Sequence, residues 1–500
     1  VGAQLGYNAI QTSLIAAIIG FVLICIFMIA AYRVPGVVAA VALWIYAVMV
    51  LFLVSVYDIT LTLPGLAGLI LGIGMAVDAN VIIYTRIREE IGAGRSTENA
   101  ILAGYEKATS AIVDGNVTTF IAAIVLYIFG TGPIKGFAMT LGLGIIVSMF
   151  TALVITRVVM KLFYNFGLTD PKWYGRTIHR KKFNFLGIRK WCFLGSAIVI
   201  IAGFVAMGVF SSMGKYTLNY GLDFVGGTTS TYTFQQEYSQ DEIENGIIPI
   251  IKNAAGVTEV QQQKVKDSTK VTFKTSALSL EQREAAETAV KAKYPVEENS
   301  IVETNTIGSS VSATTKRSAF ISVAIATICM LIYIFIRFRD VKFAFAAVVA
   351  LLHDVLVVLA FYAIARVSVG TTFIACMLTL VGYSINETIV IFDIIRELLK
   401  NANKKTNITD LVNDAIGSTF TRTINTSLTT FVMLFCLFIL GVSSVREFAL
   451  PLMVGVVVGA YSSVFITSAL WYILGGKKRG VVTEAKKEAK AAVGSDGAQV

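Results

Sequence analysis

LPGLAGLILGIGMAVDANVIIYTRIR, Leu63 to Arg88, is the stretch that decides how this chain folds. It is almost wholly apolar and long enough to cross a hydrocarbon slab of ~30 Å as a helix. Asp78 lies inside it, eight residues before Arg86, which is a depth of ~12 Å at ~1.5 Å per residue. A carboxylate at that depth costs several kcal/mol unless it is paired, hydrated or neutralised, which makes Asp78 a functional-site candidate.

Composition points the same way. Of 500 residues, 55% are hydrophobic and 15% charged, and the mean hydropathy is +0.72. A soluble globular chain of this size would need far more surface charge. The five cysteines all fall in apolar stretches, so they read as small buried hydrophobes rather than a disulfide framework or a metal site. A net charge of +10 suggests nucleic acid at first sight, but here the basic residues follow membrane topology.

Spanning runs are expected near 10–32, 37–57, 63–85, 112–130, 136–160, 190–212, 316–338, 342–364, 370–393, 421–440 and 447–473, eleven in all. Arg86, Arg88, Arg95 and Lys107 fill one connector, and Lys172, Arg176, Arg180, Lys181 and Lys182 another. Arg337, Arg339, Lys342, Lys404, Lys405 and Lys477–Arg479 fall on the same side by alternation. The positive-inside rule makes that side cytoplasmic. The C-terminus is then cytoplasmic and residue 1 outside. A chain that opens at Val1 outside, with no secretory signal, implies an upstream span. The domain plan expected is a five-span repeat at 1–165, a basic connector at 166–189, and a span at 190–212. An outside domain at 213–315, a second five-span repeat at 316–475 and a disordered basic tail at 476–500 complete it.

The polar segment 213–315 reads as strand Thr229–Phe234, helix Asp241–Asn253, two strands within Thr258–Thr275, helix Leu280–Tyr294 and strand Ser300–Thr306. That βαββαβ order predicts a small ferredoxin-like sandwich. The fold class is therefore an α-helical polytopic membrane protein with one α+β extramembrane domain.

The two halves repeat. At an offset of 308, GMAVDANVIIYTRIRE from Gly74 lies on GYSINETIVIFDIIRE from Gly382. At an offset of 311, Thr118-Thr119-Phe120 lies on Thr429-Thr430-Phe431, Phe137 on Phe448 and Gly130 on Gly441. Both copies run in the same sense, so the repeats are parallel, a geometry transporters use with ion sites near the midplane at the repeat interface.

In this alignment Asp78 falls on Asn386, with Glu387 next to it. Two central helices thus each bring one acid near the midplane. Arg422, opening the expected span 421–440, keeps its charge at any reachable pH and needs a carboxylate or water if it points inward. Its plainer alternative is an arginine snorkelling from a span's end. Asp78, Glu387 and Arg422 are the primary ion-relay candidates. His353, Asp354, Asn386, Asn425 and Asp393 are secondary ones. His353 is equally well read as a hydrogen-bonded core histidine, and Asp393 and Asp114, near inner ends, favour solvated or capping roles.

LTLPGLAGLILGIGMAVDANV with RIREE, then DGNVTTF and GTGPIKGFAMTLGLG, closely resembles the membrane part of SecD. YGLDFVGGT (Tyr220–Thr228), LLHDV, LVGYSINETIVIFDIIRE and RTINTSLTT closely resemble SecF. The chain is similar to fused SecDF proteins of the RND superfamily, without the first span and large outside domain of the SecD half. The resemblance implies a non-enzymatic component of the bacterial cell-membrane Sec export machinery, driven by an H⁺ or Na⁺ gradient and needing no cofactor. It implies work on preproteins beside the SecYEG channel, the SecA motor and a YidC-type insertase. The family's transmembrane acids and arginine map onto Asp78, Glu387 and Arg422. Where that motif usually has Asn-Asp-Thr, this chain has Asn386-Glu387-Thr388. The rival reading is an RND-type exporter of small molecules or lipids. A second rival, an intramembrane hydrolase built on His353-Asp354, lacks a matched nucleophile.

Overall fold

The computed structural model describes residues 3–175, 183–214, 216–257, 260–264, 269–297, 303–338, 340–400, 402 and 406–476. Arg176, Arg180, Lys181, Lys182, Arg339, Lys404, Lys405, Lys477–Arg479, the tail and the first residues of the expected last strand lie outside the described residues. Among those described, eleven helices are long and apolar enough to cross a membrane, as the sequence predicts. Backbone amides without water must bond within their own segment, so each apolar run closes as a helix.

The first repeat comprises α1 (Ala3–Tyr32), α2 (Val34–Val56), α3 (Leu63–Gly92), α4 (Thr97–Phe129) and α5 (Pro133–Phe150). A π turn at Thr151–Ile155 carries α5 on into α6 (Thr156–Asn165), and α7 (Arg189–Ser212) follows. The chain divides into two compact units, and the smaller comprises Leu218–Ile321 with Ser368–Thr371. In it lie α8 (Leu222–Val225), β1 (Gly227–Thr233), α9 (Gln240–Glu242), α10 (Ile248–Ala255), β2 (Val260–Lys264), β3 (Lys270–Thr275), α11 (Leu280–Lys293) and β4 (Glu303–Ile307). The second repeat comprises α12 (Ser309–Phe338), α13 (Val341–Ala365), α14 (Thr371–Lys400), α15 (Ile408–Leu440) and α16 (Ser443–Ser462). A π turn at Ser463–Thr467 likewise leads from α16 into α17 (Ser468–Trp471).

The repeat shows in backbone detail. α3 and α14 each have 30 residues, α4 and α15 each 33. Gly130 ends α4 at φ −70°, ψ 160°, and Gly441 ends α15 at φ −71°, ψ 158°. Asp58 and Arg366, equivalent at the 308 offset, both take positive φ, 46° and 52°. The π turns fall at corresponding places in the two copies.

α4 and α15 start well before the apolar runs at 112–130 and 421–440. At 33 residues each is ~50 Å long, more than a bilayer core requires. Their early turns are amphipathic. Ala100, Ile101, Gly104, Tyr105 and Ala108 are buried in α4, and Leu411, Val412, Ala415, Ile416 and Thr419 in α15. That spacing is one helical face, and the polar other face lowers the hydropathy that marked the span.

The smaller unit's four strands pair antiparallel in the order β2-β3-β1-β4. With its two helical connections this is the βαββαβ sandwich expected. Tyr232, Phe234, Val271 and Phe273 alternate inward along β1, the residue after it and β3, against Ile243, Ile247 and Ile251 of the first helical segment. Ser279 and Gln282 form a capping box on α11. Also within this unit, Asp223 Oδ2 accepts from Thr371 N at 3.0 Å and Thr371 Oγ1 at 2.8 Å. Asp223 thereby satisfies an otherwise open amide at the start of α14.

Candidate functional site

Across the larger unit the two repeats meet through equivalent residues. Asn386 Nδ2 donates to Asp78 Oδ2 at 3.3 Å. The Phe137 and Phe448 rings meet edge to face with centroids 5.5 Å apart. A Cβ on Gly74 would stand 3.2 Å from Thr430 Cα, and one on Gly382 would stand 3.2 Å from Thr119 Cα. Contacts between equivalent positions define a pseudo-twofold axis. α3 and α14 flank that axis, and Asp78 and Asn386 lie beside it.

Asp78, Glu387 and Arg422 are 6%, 3% and 6% exposed. Glu387 Oε1 accepts from Thr426 Oγ1 at 2.6 Å. Arg422 lies one turn before Thr426 on α15, within electrostatic reach of Glu387 and Asp78, and among the described residues it makes no direct ion pair with either. It is the fifteenth residue of α15 and buried, so the snorkelling alternative is set aside. α15 simply begins earlier than the apolar run suggested.

Several atoms here have no protein partner: Asp78 Oδ1, Asn386 Oδ1 and Arg422 Nε. An unpaired buried polar group costs ~1–3 kcal/mol, and such a cluster is a place for water or an ion. A cavity of about 10 Å³ lies among Asp78, Gly115, Asn116, Thr119, Tyr383 and Asn386, roughly the room one water needs. Gly115 is required for it, since a Cβ there would stand 1.9 Å from Asn386 Oδ1. These oxygens are hard ligands, suited to a proton or Na⁺.

The secondary candidates separate. Asp354, 1% exposed, bonds His353 Nδ1 at 2.9 Å, Ser462 Oγ at 2.8 Å, and Ser384 Oγ. Ser384 precedes Asn386 by two residues on α14. Asn425 instead donates to Tyr32 OH at 2.8 Å, and Tyr32 lies under Arg88 at 4.6 Å. Asp393 and Asp114 are neither simply solvated nor caps: both bind Arg337. Sequence reading missed Gly115, Ser384, Ser462 and the place of Arg337. Gly115 had one signal, its alignment with Thr426.

Two parallel repeats of long apolar helices, with an acid of one repeat held by the equivalent amide of the other, define a polytopic membrane protein of the transporter type. The family model described as "Protein export membrane protein SecD/SecF, C-terminal" matches residues 1–165 and 286–477. A second, "SecD/SecF GG Motif", matches 211–237. The chain belongs to the SecD/SecF protein-export family. It is 36% identical over 96% of its length to the protein translocase subunit SecDF of Bacillus subtilis, covering 66% of that protein. It is 34% identical over 97% of its length to that of Thermus thermophilus, covering 64%. The crystal structure of Thermus SecDF, described as a translocon-associated membrane protein, matches with a TM-score of 0.84 at 33% identity. That match covers 96% of this chain and 64% of the other. The chain thus spans just under two thirds of the relatives it matches.

Proposed function

We propose that this chain is the ion-driven membrane part of a Sec protein-translocation subunit. One observation carries the reading: Asp78 meets its repeat equivalent Asn386 beside the axis, with Glu387 and Arg422 buried next to them. An ion that binds there sits between two bodies that can move against each other. Taking up a cation neutralises Asp78 or Glu387 and weakens the pull of Arg422, so occupancy shifts how the repeats pack. Each charge moved down ~100 mV supplies ~2.3 kcal/mol, enough for a few ions to bias such a motion.

In this reading the protein lies in the bacterial cell membrane, with 213–315 outside and the C-terminus cytoplasmic. Its partners are SecYEG, SecA and a YidC-type insertase, its cargo is preprotein, and it performs no covalent catalysis. The coupling ion is H⁺ or Na⁺. The test is export of a preprotein into vesicles bearing the complete natural chain with SecYEG and SecA, with and without an imposed ion gradient. Gradient-stimulated export should vanish in Asp78→Asn while ATP-driven export persists. Stimulation surviving intact in Asp78→Asn would refute the reading.

A further inference from the structure

A second polar cluster lies between the repeats, towards the ends of α3 and α14 that carry Arg88 and Arg396. Arg337 of α12 turns its Nε to Asp114 of α4 and a terminal nitrogen to Asp393 of α14 at 3.4 Å. That terminal nitrogen also donates to Ser110 Oγ at 3.1 Å, and Tyr333 OH donates to Asp114 at 2.8 Å. Arg396 stands 3.9 Å from Asp393. One guanidinium is therefore shared by acids from opposite repeats. Its side chain and that of Asp393 are 23% and 22% exposed, whereas Asp78 is sealed.

Two features connect this cluster with Asp78. Asp393 follows Asn386 by seven residues on α14, which puts it on the same face ~10.5 Å along. Asp114 immediately precedes Gly115, which backs onto Asn386, and Gly115 and Asn116 wall the cavity that Asp78 lines. Polar groups thus step from the enclosed acid to a partly open arginine.

The geometry points to Asp114, Arg337 and Asp393 as the gate at this end of the ion path, with Arg337 as its moving part. This rests on the ion-driven reading above. A cation that leaves Asp78 for Asp114 competes with Arg337 there, whether it is a proton or Na⁺. For a proton, Asp78 is left as carboxylate and Asp114 becomes the neutral acid. Of its two acids Arg337 then keeps Asp393, and it swings clear of the path until Asp114 releases the cation to solvent. A shared guanidinium is suited to this, because it keeps its charge throughout and always has one acid to hold.

The test is solvent access to the cavity, which does not depend on ion flux. Asn116→Cys is placed in the complete natural chain with its native cysteines replaced, and labelled in vesicles with a membrane-impermeant maleimide applied from the Arg337 side. Arg337→Gln and Asp114→Asn should each raise the labelling rate several-fold, and Arg337→Lys should return it close to the parent. Leu437→Cys, at a buried position near the other end of α15, should stay unlabelled throughout. An unchanged rate at position 116 in Arg337→Gln, or labelling at 437 as well, would overturn the gate. Flux in Asp78→Asn, measured separately, decides the ion-driven reading by itself.

Discussion

The two repeats share a scaffold and differ in chemistry. Where the first repeat has Asp78, Ala111 and Gly115, the second has Asn386, Arg422 and Thr426 at the aligned positions. The backbone is nearly the same in both, down to helix lengths and the glycines that end α4 and α15. The second repeat adds its own acid, Glu387, one position on, and supplies both the buried cation and the hydroxyl that holds that acid. The first repeat supplies Asp78 and the space, through Gly115, in which Asn386 reaches it. Symmetry builds the interface, and under the ion-driven reading proposed above the departures from symmetry give it direction.

If direction depends on those departures, exchanging the aligned pair should not preserve function. Asp78→Asn with Asn386→Asp keeps the same two side chains facing each other. It should nonetheless abolish gradient-driven export, because the acid then sits beside Glu387 on one helix. Recovery of export close to wild type would break the comparison, since it would make the two sides interchangeable.

Gly115→Ala comes next. Its Cβ would overlap Asn386 Oδ1 at 1.9 Å, and overpacking of that kind costs ~1–3 kcal/mol. A thermal melt in detergent should fall, and ion flux should drop more than the melt alone explains. Gly74→Ala, with a nearest approach of 3.2 Å to Thr430 Cα, should be milder in both.

Thr426→Val removes the hydroxyl at 2.6 Å from Glu387. A hydrogen bond to a charged group is worth ~1.5–3 kcal/mol, so ion flux should fall several-fold while expression holds. Thr426→Ser should rescue it. The smallest effect belongs away from the interface. Ser279→Ala deletes the capping box on α11 and should cost ~1 kcal/mol of the small unit's stability, with flux from the membrane unit unchanged.

Much of this arrangement was legible beforehand. Eleven apolar runs, the 308 and 311 offsets and the alignment of Asp78 with Asn386 come directly from residue patterns, because lipid demands long apolar helices and a repeat preserves glycines. The helical segments of the small unit are legible from apolar residues three and four apart, as at Ile243, Ile247, Ile248 and Ile251. Other parts were hidden for physical reasons. The depth of Arg422 was masked because hydropathy falls wherever a helix has one polar face, although α15 continues through it. Ser384 and Ser462 reach Asp354 from helices 30 and 108 residues away, and such pairings are products of packing. Arg337 reads as one more basic residue at a span's end until the fold sets Asp114 and Asp393 on either side of it.

In the proposed function a cation crosses the membrane by way of Asp78. Ion flux into sealed proteoliposomes holding the complete natural chain, with pH and Na⁺ gradients imposed separately, measures this most directly. Flux down one of the two gradients is expected in wild type and none in Asp78→Asn, with the purified variant melting as a folded protein. Equal flux in the two proteins would contradict it.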